Sequence, residues 1–216
     1  MINVEVLLGE FASPARPQGP RPTCLAFALS DLNRRFSPTD LSPEYFYQTA
    51  ARLIPGWKPG DGLQFDAAQQ ASLLGQPEEE RYPYCEHEPD IPIPELPGDL
   101  PMYGRALKLE YADLTVMAST LRAGRPVGLG LRVTREFYVP DNGVVSFSDH
   151  VVPGMLHAVV AIGLGRHDED ASPWFYVRNS WGPDWGIQGH AWISGAYVAA
   201  HAACAFGVDH GETDTQ

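Results

Sequence analysis

Between Arg81 and Gly104 the chain runs RYPYCEHEPDIPIPELPGDLPMYG, with Pro83, Pro89, Pro92, Pro94, Pro97 and Pro101 along it. Proline fixes φ and carries no N–H, so roughly twenty residues here are barred from a helix and from a central strand. That is too long for a tight turn. The segment reads as a surface crossover between two parts of the chain, and the parts on its two sides differ in kind.

Ahead of the crossover the pattern is helical. Pro14, Pro17, Pro20 and Pro22 keep the first residues extended. From Thr23 the run TCLAFALSDLNRRF has neither Pro nor Gly, with Leu25, Ala28, Leu29 and Leu32 at helical spacing and Thr23 as its N-cap. LSPEYFYQTAARL predicts a second helix, capped by Ser42 with Pro43 in its first turn and Glu44 close behind. LQFDAAQQASLLG predicts a third, closed by Gly75. Behind the crossover, ADLTVMASTLRAG is a helix ending at Gly124, and RPVGLGLRV, HAVVAIGLG and WFYVRNSWG read as strands. QGHAWIS and AYVAAHAACAFGV form a last strand and a packed closing segment. The expected class is α+β in one domain over 1–216. A mainly helical lobe spans 1–100, including the N-terminal extended segment and the crossover; a mainly β, barrel-like lobe spans 101–216, with a cleft between the two.

Composition narrows the function. Hydrophobic residues are 44% and charged residues 19%, the balance of a globular chain. The net charge is −12, from 15 Lys+Arg and 27 Asp+Glu, with no basic run, so nucleic acid is not an expected partner. Cys24, Cys85 and Cys204 are an odd, sparse set, which is no disulfide framework, and none has the Cys or His spacing of a metal site. No metal and no cofactor are expected. The start MINVEVLLGEFASPARP lacks the basic and long apolar regions of a signal peptide, and no apolar run approaches a membrane span. The expectation is a cytoplasmic monomer without a membrane partner, with secretion as an effector by a route that leaves no such signal as the alternative.

Three segments carry possible chemistry. In QGPRPTCLAFALSDLN, Cys24 enters the first turn of a helix, where the dipole favours a thiolate. Gln18, on the coil leading in, can present its side-chain amide beside the sulfur. With the Cys24 N–H this makes two donors for a developing oxyanion. In MLHAVVAIGLG, His157 starts an apolar strand. In YVRNSWGPDWGIQGHAWI, Asn179 follows a strand, can accept from one imidazole nitrogen and so fix the tautomer, and Trp181 can shield that bond from water. Taken singly, Cys24 in an apolar run is more often a packed residue, and His157 a satisfied histidine of the core or a sheet edge.

Together these segments resemble the papain (cathepsin-type) cysteine peptidases. NSWGPDWG from Asn179 to Gly186 is similar to that family's Asn-Ser-Trp-Gly-x-x-Trp-Gly, and the order Cys, His, Asn and its spacing agree. RYPY falls where the family has a Tyr-Pro-Tyr-like crossover, and the likeness runs roughly from residue 15 to residue 207. It implies a papain-like two-lobe fold with the active-site cleft between the lobes. It also implies Cys24 as nucleophile, His157 as base and acid, Asn179 as the residue orienting it and Gln18 in the oxyanion hole. The product is a cysteine endopeptidase acting on protein or peptide substrates through a thioester. By the same resemblance Asp61 and Gly62 correspond to the Gly-Gly strip that pairs with substrate backbone. The resemblance also puts Leu156 at a position that in the family helps floor the specificity pocket, which implies an apolar substrate side chain there.

The chain departs from the family at the nucleophile, with Arg21-Pro22-Thr23-Cys24-Leu25 in place of Cys-Gly-Ser-Cys-Trp, so the upstream disulfide cysteine is absent. With 23 residues ahead of Cys24, an inhibitory propeptide is not expected. Restraint would then fall to a separate inhibitor or regulatory partner, to substrate choice, to cleavage from a precursor or to compartment. The same Cys-His-Asn set also serves a narrow-target effector protease, a deamidase or a transpeptidase. A catalytically silent peptide-binding module is the alternative of another class.

Overall fold

Two of the four longer helices, those starting at Pro43 and Leu114, begin behind a side-chain cap. The computed structural model describes residues 1–11, 13–88, 96–168 and 170–209; the centre of the proline-rich crossover, 89–95, lies outside the described residues. Its described flanks, 82–88 and 96–104, hold neither helix nor strand beyond the isolated bridge Gln76↔Tyr103.

In chain order the elements are β1 (Ile2–Leu7), α1 (Cys24–Arg34), α2 (Pro43–Arg52), α3 (Phe65–Leu74), β2 (Leu107–Glu110), α4 (Leu114–Arg122), β3 (Val127–Thr134), α5 (Arg135–Tyr138), β4 (Val151–His167), β5 (Asp170–Arg178), β6 (His190–Ser194), α6 (Gly195–His201) and β7 (Ala202–Val208). The caps read from sequence recur at α2 and α3. Ser42 Oγ accepts the Tyr45 N–H at 3.0 Å with Pro43 behind it, and Gly75 closes α3 at φ 84°. At α4, Asp113 accepts the N–H groups of Thr115 and Val116. Thr23 stands at the N-cap position of α1, but its hydroxyl does not cap the helix.

The chain forms two compact units. One comprises Gln18–Lys108 with the chain from Val208 onward, the other Met1–Pro17 and Leu109–Gly207. In the first, α1 packs on α2 and α2 on α3 around Leu29, Leu32, Phe46, Tyr47, Ala50 and Ala68, all fully or nearly fully buried. Gln76 ties α1 to α2, its Nε2 donating to Ser30 Oγ (2.7 Å) and to the Ser42 carbonyl (3.0 Å).

In the second unit an antiparallel sheet runs β7-β3-β4-β5-β6, with β1 added to β4. Register places Leu131 opposite His157 and Val160 opposite Arg178. The helices α4 and α6 pack on the sheet, so β4 is buried continuously from His157 to Gly165. His157 thus lies well inside β4, which begins at Val151, rather than at the strand's start.

These units are bounded differently from the expected lobes 1–100 and 101–216. The first seventeen residues belong to the β-rich unit. The reason is hydrogen bonding. Strand β1 pairs with β4 from Ile2↔His167 to Leu7↔Gly163, and the Ala15 N–H donates to the Gln188 carbonyl (3.1 Å). Buried Arg178 donates to the carbonyls of Phe11, Ser13 and Pro14.

Candidate active site

In the β-rich unit, β5 ends at Arg178 because the next residue turns away: the Asn179 N–H donates to the Gly189 carbonyl at 3.0 Å. The intervening turn needs glycine at its tight points. Gly189 sits at φ 82°, where a Cβ would lie 2.2 Å from the Ala15 Cβ, and Gly186 at φ 58°, where it would lie 2.2 Å from the His190 carbonyl oxygen. This turn buries Asn179 and aims its side chain. Asn179 Oδ1 accepts the Ser180 N–H at 2.8 Å, which fixes which amide atom is the oxygen. The same Oδ1 lies 2.6 Å from His157 Nε2. An amide oxygen can only accept, so His157 Nε2–H donates and Nδ1 keeps its lone pair.

His157 is 4% exposed, and that burial lowers its pKa from 6.5 to about 4, while the bond to Asn179 acts the other way. The imidazole is therefore neutral at pH 7. Its walls are aromatic. The Trp181 ring lies 4.5 Å from it and the fully buried Phe137 ring 6.0 Å, and Trp181 itself stacks on Tyr138 at 5.2 Å. NSWGPDWG thus supplies the amide that meets His157 and the Trp181 indole beside its ring, while Trp185 packs on Phe137 at 5.1 Å and its Nε1–H donates to the Phe137 carbonyl (2.8 Å). Leu156, the neighbour of His157, is 59% exposed.

In the helical unit, Cys24 is the first residue of α1, and its thiol is half-buried. Its N–H belongs to the first turn, where backbone donors have no acceptor within the helix. The residues ahead of it are tied down. Gln18 is buried, and its Nε2–H donates to the Arg21 carbonyl (2.7 Å), which also accepts the Thr23 N–H (2.9 Å). Tyr84 Oη–H donates to the Gln18 carbonyl (2.7 Å), which leaves Thr23 Oγ1–H as the donor to Tyr84 Oη (2.9 Å). Thr23 stands at φ −102°, ψ 9°, outside the extended conformation in which an N-cap hydroxyl accepts from the first turn, and its side chain turns to Tyr84 instead. Gln18 and Cys24 thus share one loop, whose turn the Arg21 carbonyl closes.

Asp61 and Gly62 are exposed in the turn before α3. Asp61 Oδ2 accepts the Lys58 N–H (2.8 Å), and its carbonyl accepts Tyr47 Oη–H (2.6 Å) and Trp57 Nε1–H (3.2 Å). The Asp61 side chain therefore shapes its own turn, and the space in front of Gly62 is open.

Sequence reasoning missed Arg21, Tyr84 and Phe137. RYPY contained Tyr84, but nothing local marks Tyr84 as a partner of Thr23, and a lone arginine among prolines reads as surface. None of the three cysteines is in a disulfide. Among the described residues no group of three or more His, Cys, Asp or Glu could hold a metal ion, and no helix is long and apolar enough to cross a membrane.

A family model described as "Papain family cysteine protease" matches residues 60–206, a span that holds His157 and Asn179 and begins after Cys24. Pro-cathepsin H of Bos taurus is 30% identical over 141 residues, 59% of this chain and 38% of that protein. Cathepsin B-like CP3 of Giardia intestinalis is 34% identical over 95 residues, 43% of this chain and 31% of that protein. The chain spans less than half the length of these curated relatives. Among solved structures, xylellain, a cysteine protease from Xylella fastidiosa, matches 97% of this chain and 87% of its own with a TM-score of 0.75 at 20% identity. Procathepsin L 3 of Tenebrio molitor larval midgut matches 94% of this chain and 68% of its own, with a TM-score of 0.76 at 19% identity. At these identities the likeness to the two structures is one of fold.

Proposed function

Since the chain belongs to the papain family of cysteine proteases and has its α+β fold, we propose that it is a cysteine endopeptidase working through a Cys24 acyl-enzyme. The carrying observation is the hydrogen bond from His157 Nε2–H to Asn179 Oδ1 at 2.6 Å. It fixes the tautomer of an imidazole that burial keeps neutral, with Nδ1 able to take a proton.

In this reading the Cys24 sulfur, its proton passed to His157, attacks the scissile carbonyl and forms a tetrahedral intermediate. Gln18 Nε2–H and the Cys24 N–H hold the oxyanion. The intermediate collapses as the C–N bond breaks, and His157 returns the proton to the leaving amine. A water then gives its proton to His157 and attacks the thioester; the C–S bond breaks and the acid product leaves with Cys24 restored. Trp181 and Phe137 keep water from the imidazole–amide bond. The substrate is a protein or peptide. The exposed Leu156 beside His157 supports an apolar side chain near the scissile bond, and the open space before Gly62 supports contact with substrate backbone. Because its carboxylate already shapes the Lys58–Asp61 turn, Asp61 contributes through that turn rather than as a free charge.

The test is labelling with an epoxide or vinyl-sulfone warhead. Wild type is labelled at neutral pH and Cys24→Ala is not. No labelling of wild type overturns the reading in favour of a peptide-binding module. Labelling without cleavage of peptide libraries replaces general proteolysis by a narrow target, a deamidation or a transpeptidation.

A further inference from the structure

Arg21 is 4% exposed, although a guanidinium is among the costliest groups to take out of water. Its Nη1 and Nη2 donate to the two oxygens of Glu44 at 2.5 and 3.2 Å, and Nε and Nη2 donate to Glu88 at 3.0 and 3.5 Å. Nη1 also donates to the Cys85 carbonyl. The rings of Tyr47 and Tyr84 each stand 5.1 Å from the guanidinium carbon. Glu44 is held in turn by Gln48 Nε2–H (2.7 Å) and the Cys85 N–H (3.3 Å). Burial by itself would lower the Arg21 pKa, but the bonds to Glu44 and Glu88 outweigh it and raise the pKa, so the cation persists.

The backbone of the same residue holds the loop. The Arg21 carbonyl accepts one N–H of the Gln18 amide and the Thr23 N–H. A primary amide has two N–H groups in one plane, so anchoring the first fixes the direction of the second. Tyr84, which faces the guanidinium, holds the Gln18 carbonyl and the Thr23 hydroxyl. The Arg21 peptide cannot tilt without turning the Gln18 amide.

We propose that Arg21 is a positioning residue: clamped by Glu44 and Glu88, it aims the Gln18 amide through its own carbonyl. The inference rests on the acyl-transfer reading, in which that amide holds the oxyanion. At the position where the family pattern Cys-Gly-Ser-Cys-Trp has its first cysteine, this chain holds its nucleophile loop by an ion-pair cluster.

The test compares two reactions of Cys24. Peptide hydrolysis builds an oxyanion. Alkylation by iodoacetamide displaces iodide from a saturated carbon and builds none. Arg21→Lys keeps the charge but loses the fork. In the full chain it is expected to lower kcat on a fluorogenic peptide amide about tenfold or more, with KM and the alkylation rate each within about twofold of wild type. In a Gln18→Ala background the same substitution adds at most about a twofold further loss, because both act through one group. Exchange of the Thr23 amide hydrogen accelerates in Arg21→Lys, while amides further along α1 keep their protection.

Unchanged kcat overturns the proposal. So does an alkylation rate that falls in step with kcat, or an undiminished loss in the Gln18→Ala background. Where Arg21→Lys does not fold, Glu88→Gln, at a carboxylate 18% exposed, carries the same comparison with a smaller loss. If wild type neither cleaves nor takes the warhead, the acyl-transfer reading fails separately. Thr23 exchange then decides the clamp: acceleration sustains it and unchanged protection overturns it.

Discussion

The loop ahead of Cys24 and the pocket around His157 are held by opposite means. Around Arg21 a buried cation meets two carboxylates, the buried Glu44 and the partly exposed Glu88. Around His157 burial removes the charge: the imidazole is neutral, makes one hydrogen bond to an amide and is walled by Trp181 and Phe137. The chemistry proposed for each side accounts for the contrast. A base must be able to gain a proton, so a permanent counter-charge beside it would commit it beforehand. A loop that aims an amide gains from contacts that do not titrate near neutral pH, and arginine supplies them.

The largest effect that could break this comparison comes from deleting each device. Arg21→Met leaves the Glu44 carboxylate buried without its cation, and is expected to cost about 3–5 kcal/mol. Phe137→Ala opens the aromatic wall beside His157, with an expected cost of about 3–5 kcal/mol. Urea unfolding of both variants measures this. A loss under about 1 kcal/mol at Arg21 would show that the ion pairs do not hold their unit together.

A smaller, pH-dependent effect isolates the histidine side. In the unfolded chain the imidazole titrates near 6.5, and in the fold near 4. Above pH 6.5 both states are neutral and the stabilisation is full. As pH falls from 6.5 toward 4 the unfolded chain takes up a proton that the folded chain refuses, so stability falls with it. Below 4 both are protonated and this slope ends. The total is on the order of 3 kcal/mol at 1.36 kcal/mol per pKa unit. Denaturant midpoints at pH 7 and 4.5 record the slope, and His157→Gln removes its share. An identical slope in that variant would assign the pH dependence to other groups.

The smallest effect lies at Thr23. Thr23→Val keeps the shape but loses the hydroxyl that donates to Tyr84, at an expected cost of about 1 kcal/mol. Since that hydroxyl caps nothing in the fold, Thr23→Val is expected to leave amide exchange along α1 unchanged in the full chain, whereas Ser42→Ala frees the Tyr45 N–H and accelerates exchange in the first turn of α2. Native-state hydrogen exchange separates these cases.

Much of this molecule was readable along the chain, because the signals are local. The caps Ser42 and Gly75, the Pro-free run from Thr23, the apolar strands and the NSWGPDWG motif each depend on a few adjacent residues. The N-terminal strand was not readable. INVEVL is mostly exposed, and only pairing with β4, far along the chain, makes it a strand. For the same reason the first seventeen residues were placed with the helices, when Arg178 and β4 bind them to the sheet.

What the sequence by itself determined was the helical and β-rich succession and the family, since periodicity, proline exclusion and a motif such as NSWGPDWG are properties of neighbouring letters; Gln18, Cys24, His157 and Asn179 it only nominated. What only the tertiary structure decided was the state of those residues. The tautomer of His157 follows from Ser180 fixing the Asn179 amide, its lowered pKa from burial, and the aim of the Gln18 amide from Arg21. Arg21 meets Glu44 and Glu88 at 23 and 67 positions along the chain, separations at which no local pattern persists and only folding brings charges together.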